Sequence, residues 1–426
     1  MRRRIAGTTI FSSCLGLGLA YLFRPGAYPP LFEGLDYFHI AQGNTSGIET
    51  YYAGRVLHPL VVRWIAGAFH EPLNWNVFWW VAIGSLVALF AFLGLSYALD
   101  HPVHPWIALP LVATAVLIEH YRDYYWHDLF YTALCAAFFL VLRANRWASL
   151  PFLYLLYVTR ESTIVLVAAV VIAAAGERAW KFCAGATLAG FAGFQTTHYF
   201  VARAAPSHHG ISMALLDALK IPYNIAYNIF GLEFWTNTSV DYVGEIPKWA
   251  VKVPAWLPLG NIHEVGFYAF VWHKPIELLV VLASAFGVLP LLIPFVFDLE
   301  QRRKILNRID LQIAFIYGML AFLLTPLIGT VPARYILYAW PLFWIVGVRI
   351  LFRVVTDSRD RAEFVALCVV ASWLPAIVWI ETRTEVISPL FLVNLEPGAL
   401  LISLVGLVVI YARTFFLLRA QTASTS

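Results

Sequence analysis

Apolar runs of about 18–25 residues recur along the chain, separated by short polar stretches in which the charges collect. Each such run is long enough to cross roughly 30 Å of hydrocarbon. In lipid it has to be a helix, because every backbone N–H and C=O needs an internal partner. The pattern predicts spans near Ile5–Phe23, Trp75–Leu99, Pro105–Ile118, Leu129–Leu142, Lys181–Arg203, Pro275–Phe297, Leu311–Gly329, Tyr335–Phe352, Phe364–Ile380 and Leu400–Leu418. One segment fits no single span. Arg146 to Arg178 is too long for one crossing, too short for two, and carries Thr159-Arg160-Glu161-Ser162 in its middle. A hairpin of two half-helices with Arg160–Glu161 at its tip resolves this, because one long span would turn Arg302, Arg303, Lys304 and Arg308 outward, against the positive-inside bias.

The predicted fold is therefore all-α: a polytopic transmembrane helical bundle of about ten full spans plus the hairpin, forming a single integral membrane domain over residues 1–426. Arg2–Arg4 place the N-terminus in the cytoplasm, and the alternation of spans returns the C-terminus to the same side. Leu19-Ala20-Tyr21 is a poor cleavage site, so the first run reads as a retained span. The expected location is a plasma membrane of the bacterial inner-membrane kind. Between the spans, Glu33–Arg63 falls outside, with Val56–Phe69 as a helix lying in the interface. A second external, membrane-associated segment, at about 204–274, is rich in Pro, Trp and Tyr and is expected to carry short helices.

Composition narrows the class. The chain is 61% hydrophobic and 13% charged, which no ordinary soluble domain matches. The net charge of +4 comes from short basic clusters between spans and is no nucleic-acid signature. Four cysteines, Cys14, Cys135, Cys183 and Cys368, all fall in apolar runs, and nothing in their spacing pairs them.

The external charges carry the candidate chemistry. Asp36 reads either as a helix cap or as a carboxylate at the mouth of a membrane cavity, acting as base or metal ligand. Glu119, Asp123 and Asp128 crowd the second external loop beside Arg122 and His127. Glu119 and Asp123 would share one helical face. That loop is either solvated or, given its Tyr and Trp, a sugar-binding surface. Arg160–Glu161 is an ionisable pair at membrane depth, either functional or merely self-neutralising. Arg55 and Arg334 are external arginines suited to bidentate phosphate contact or to interfacial anchoring. Tyr37 and His58 stand beside the first-loop charges, and His208, His209 and His263 are weaker candidates. A lipid-phosphate sugar donor would use such parts: its phosphate is an acidic leaving group that arginine can neutralise, and one carboxylate can deprotonate the acceptor hydroxyl.

Asp36-Tyr37 followed by Ile40-Ala41-Gln42-Gly43, then Tyr52-Ala53-Gly54-Arg55-Val56-Leu57-His58-Pro59-Leu60, the acidic second loop, Thr159-Arg160-Glu161-Ser162 and Ala333-Arg334-Tyr335 before a late span resemble the polytopic GT-C glycosyltransferases. These include the polyprenyl-phosphate-sugar mannosyltransferases and the aminoarabinose transferases. The resemblance implies transfer of a sugar, with inversion, from a polyprenyl-phosphate donor to an external lipid, glycan or protein acceptor. It implies Asp36 as the catalytic acid residue, Asp123, Asp128 or Glu119 supporting it, and Arg334, Arg55 and Arg160 on the donor phosphate, with Glu161, Tyr37 and His58 in support. A divalent metal, Mg or Mn, would fall to Asp36 and Asp123. The first loop has no adjacent Asp-Asp or Asp-Glu pair of the kind that would demand one. Two rivals remain. A lipid-linked glycan polymerase or ligase would depend on Arg and His of the long external segment. A transporter or flippase would need charges along a midplane path.

Overall fold

A computed structural model of the chain describes residues 2–25, 32–44, 48, 50–100, 103–204, 213–236, 251–257, 260–328, 332–382 and 397–425. It is 79% helical. Among the described residues, six helices are long and apolar enough to cross a membrane: Arg4–Leu22, Trp75–Leu99, Ile309–Ile328, Pro332–Val354, Ser358–Val378 and Pro397–Gln421. A seventh is added if the bent pair Lys274–Phe286 and Leu289–Val296 is counted as one span. By length and composition this is a multi-pass membrane protein.

Several predicted spans are interrupted. Pro105–Ile118 is split into Pro105–Ala108, a 3₁₀ turn at Leu109–Leu111, and a separate helix at Ala115–Arg122. Pro110 brings no N–H to the ladder, and extended Thr114 starts the new helix, its side chain accepting from the Leu117 N–H at 3.4 Å. The run expected as Pro275–Phe297 turns through 88° at Gly287. That glycine has φ +56°, and a Cβ there would meet the Cys368 carbonyl oxygen at 2.3 Å.

The hairpin forms. Its arms are Leu150–Thr159 and Ile164–Gly176, and both lie along the helix Trp180–Val201. The first arm runs parallel to that helix: Leu150 sits by Gly185, and the Tyr154 and Thr196 hydroxyls are 3.2 Å apart. The second arm returns, with Val167 against Gly190. The break is at Arg160, whose backbone is extended (φ −159°, ψ 130°).

The segment at about 204–274 departs from the expectation of short helices. An 18-residue helix, Met213–Phe230, ends at Gly231, which has φ +65°. A small antiparallel sheet follows: β1 (Leu232–Thr236), β2 (Val251–Lys252) and β3 (Glu264–Phe270), in the order β1-β3-β2, with a bulge at Glu233/Phe234. Alternating and aromatic residues, Leu-Glu-Phe-Trp-Thr and Glu-Val-Gly-Phe-Tyr-Ala-Phe, suit strands better than helices. The fold is thus helical throughout except for this sheet, among the described residues.

At the centre stands Pro332–Val354, with 94% of its apolar window inside the protein. A π-helical turn, Pro341–Gly347, interrupts it, and the Tyr97 hydroxyl donates to the Trp344 carbonyl at 2.6 Å. Two charged clusters mark the two ends of the bundle. Asp128 opens the helix Asp128–Ala144, and Arg143 lies in its last turn, about 22 Å away along the axis.

Candidate functional site at the Asp128 end

Five segments converge at the Asp128 end. The first-loop helix Phe32–Gln42 contributes Tyr37. The turn before Leu57–Ala68 contributes Arg55, and the hairpin tip contributes Arg160 and Glu161. The second loop and the start of the central helix contribute His127, Asp128, Arg334 and Tyr338.

Asp128 is the hub. Its carboxylate is 1% exposed and takes two arginines at once. The Arg334 Nε donates to Oδ2 at 2.9 Å, and the Arg160 Nη1 donates to Oδ1. The Tyr338 hydroxyl also donates to Oδ1. The His127 Nε2 lies 2.9 Å from the Arg160 Nη1. Burial drives the His127 imidazole well below its ordinary range, so Nε2 is neutral and accepts from the guanidinium. A carboxylate this buried is tolerable only when paired, and here two cations and a hydroxyl share it.

Arg55 forms the second node. Its Nη2 and Nε donate to the two Glu161 oxygens at 2.5 and 3.1 Å, a bidentate fork. Its Nη1 reaches the Tyr37 hydroxyl at 3.3 Å. The Tyr37 ring meets His127 edge-on at 5.5 Å, which joins the two nodes. Glu161 is 47% exposed, so its carboxylate borders an opening. Burial opposes its charge, but the Arg55 guanidinium prevails and lowers the carboxyl to about 2. His58, buried among Phe78 and Phe130, is pushed down to about 3 by desolvation and is a neutral packing residue.

The adjacent residues Arg160 and Glu161 do not pair with each other. The extended backbone at Arg160 sends the neighbouring side chains apart, one to Asp128 and the other to Arg55. Neutralisation within the dipeptide, one of the two readings of the sequence, is corrected accordingly.

Glu119 and Asp123 are both buried, the first in the Ala115–Arg122 helix and the second at its C-terminal cap. That helix reaches the Arg334 turn through His120, whose Nε2 lies 3.4 Å from the Ala333 carbonyl. Asp36 is half-buried, one residue before Tyr37 on the same short helix. His263 is in the sheet region, with Nδ1 3.1 Å from the Asn261 carbonyl. His208 and His209 lie outside the described residues, as does the side chain of Glu33.

Two site residues went unread in the sequence. Tyr338 follows Arg334 by four positions and so shares its helical face. Trp126 lies flat under Arg334, the guanidinium carbon 3.2 Å from the ring centroid. Both could have been found by asking which aromatics stand within one helical turn of each candidate charge. The stacked pair has spare donors: the Arg334 Nη2 and the Trp126 Nε1 are buried, with no partner among the described residues. A guanidinium held through Nε and by its face, with an outer N–H to spare, suits an anionic oxygen.

No group of three or more His, Cys, Asp or Glu side chains placed to hold a metal ion occurs among the described residues. No protein-family model matches the chain, and neither a curated protein nor a solved structure matches it.

Proposed function

We propose that this chain is a membrane glycosyltransferase of the GT-C kind, about ten spans plus the hairpin, acting on the external face of a bacterial inner membrane with both termini cytoplasmic. It moves one sugar from a polyprenyl-phosphate donor to an acceptor hydroxyl. The observation that carries this reading is the convergence of first loop, second loop, hairpin tip and late-span arginine on one buried, arginine-rich cluster. A transporter path along the midplane has no counterpart in it.

In this reading the donor tail stays in lipid and its phosphate meets Arg334, whose free Nη2 and stacked Trp126 face the incoming oxygen. Asp128 is already engaged by Arg334, Arg160 and Tyr338, so it is a positioning residue that fixes the guanidinium planes. Asp36, half-buried on the first-loop helix one residue before Tyr37, is the general base. Glu119 and Asp123 back the second loop. The acceptor oxygen forms its bond to the anomeric carbon as the bond from that carbon to the phosphate oxygen breaks on the opposite face. The acceptor proton goes to Asp36, and polyprenyl phosphate leaves with its new charge on Arg334.

The test uses purified full-length protein in proteoliposomes with a synthetic polyprenyl-phosphate sugar labelled in the sugar, and membrane extract as the acceptor source. Asp36→Asn is expected to slow transfer by about 10²–10⁴-fold while donor binding is kept. Undiminished transfer by this variant removes Asp36 from the chemistry, and no transfer by the wild type across acceptors removes the activity.

A further inference from the structure

The opposite end of the bundle holds a second charged cluster, independent of the reaction just described. The ends of three candidate spans meet there: Trp75–Leu99, the start of Ile309–Ile328 and the end of Pro332–Val354. Asp100 accepts from the Arg349 Nη1 at 2.6 and 2.7 Å and lies 3.5 Å from the Arg308 Nη1. Arg308 forks onto Asp310 at 3.0 and 2.9 Å. These two carboxylates are taken up by two arginines.

Two further arginines sit within Coulombic reach of Asp100 and Arg349, namely Arg143 and Arg353. Arg143 donates to the Ser96 carbonyl at 3.0 Å and to the Leu99 carbonyl. Arg353 has a buried Nε with no partner among the described residues, as has Arg349, itself 4% exposed. The surplus is two positive charges. Helix ends carry about half an elementary charge each, negative at the C-terminus and positive at the N-terminus; the C-termini of Trp75–Leu99, Asp128–Ala144 and Pro332–Val354, less the N-terminus of Ile309–Ile328, answer about one of the two. About one positive charge is left over at the depth where helices leave the hydrocarbon.

We propose that this cluster binds a phosphate monoanion, carried by an anionic glycerophospholipid of the adjoining leaflet. A phosphodiester headgroup supplies the missing charge of minus one and acceptor oxygens for Arg353 and the Arg349 Nε, and its acyl chains lie along the apolar helices below. The guanidinium rim makes this a fixed site, distinct from the diffuse attraction of the exposed basic residues Arg302, Arg303 and Lys304.

The experiment uses full-length protein, delipidated in a neutral detergent, and follows its melting temperature against added dioleoyl phosphatidylglycerol, dioleoyl phosphatidylcholine or sodium phosphate. Phosphatidylglycerol is expected to raise the melting temperature by several degrees beyond the other two. Arg353→Gln, or Arg353→Met if the first does not fold, loses about half of that shift or more, and Arg303→Gln keeps it. Equal protection by phosphatidylcholine overturns the site. Equal protection by sodium phosphate overturns the lipid assignment, and an equal loss in Arg303→Gln reduces the effect to general surface charge.

Discussion

Each end of the bundle has an aspartate shared by two arginines, and the two ends use the arrangement differently. At the Asp128 end, the arginines come from a hairpin tip and from the start of the central helix, and their remaining contacts are to side chains: His127, Tyr338 and the face of Trp126. At the Asp100 end, Arg349 and Arg308 take a second side chain, Asn307 or Asp310, but neighbouring Arg143 spends its donors on backbone carbonyls. Charges at the Asp100 end therefore finish helices and fasten loops. Charges at the Asp128 end sit where helices are interrupted and are held by aromatic and carboxylate side chains. A hub carboxylate 1% exposed, shared by two arginines that lie over aromatic rings, is the more costly arrangement, and it marks the end at which chemistry is to be sought.

The comparison is tested most severely by neutralising each hub. Asp128→Asn leaves Arg160 and Arg334 facing each other with no counter-charge, and should cost about 3–5 kcal/mol in thermal unfolding of detergent-solubilised protein. Asp100→Asn should cost clearly less, about 1–3 kcal/mol, because its rim is wetter and Asp310 still holds Arg308. Equal costs would mean that the two ends are energetically alike. Tyr338→Phe removes one hydroxyl from Asp128 and should cost about 1–2 kcal/mol while loosening donor affinity.

The smallest effect concerns acid. Glu161 titrates at about 2 in the folded protein against an ordinary value near 4.5, so its contribution is complete above 4.5 and is lost as pH falls through 2. The difference in melting temperature between wild type and Glu161→Gln should stay level from pH 7 to about 5 and shrink below that. With Glu161 half open to its surroundings, the difference is small at any pH. A difference that vanishes between pH 7 and 5 would break the Arg55 fork as described.

Much of this end was legible in the chain. The hairpin followed from counting residues between basic loops, and its tip proved to be the meeting point of both nodes. Tyr37, Arg55, Asp128, Arg160, Glu161 and Arg334 were all singled out from residue type and position. What was not legible was the pairing. Sequence adjacency suggested Arg160 with Glu161, whereas one extended residue at the tip divides them. Nor did hydropathy reveal the bend at Gly287 or the break after Pro110, because both lie inside runs whose mean apolarity is unbroken. The strands were hidden in a segment where tryptophan and tyrosine serve an interface as well as a sheet.

The central claim is that the Asp128 end receives a lipid phosphate through Arg334. Its most direct test is the binding of polyprenyl phosphate to purified full-length protein, compared between wild type and Arg334→Ala by native mass spectrometry. The variant is expected to bind about 10–100-fold more weakly while Arg303→Gln, an exposed basic residue away from the Asp128 end, binds like the wild type. Equal binding by wild type and Arg334→Ala would contradict it.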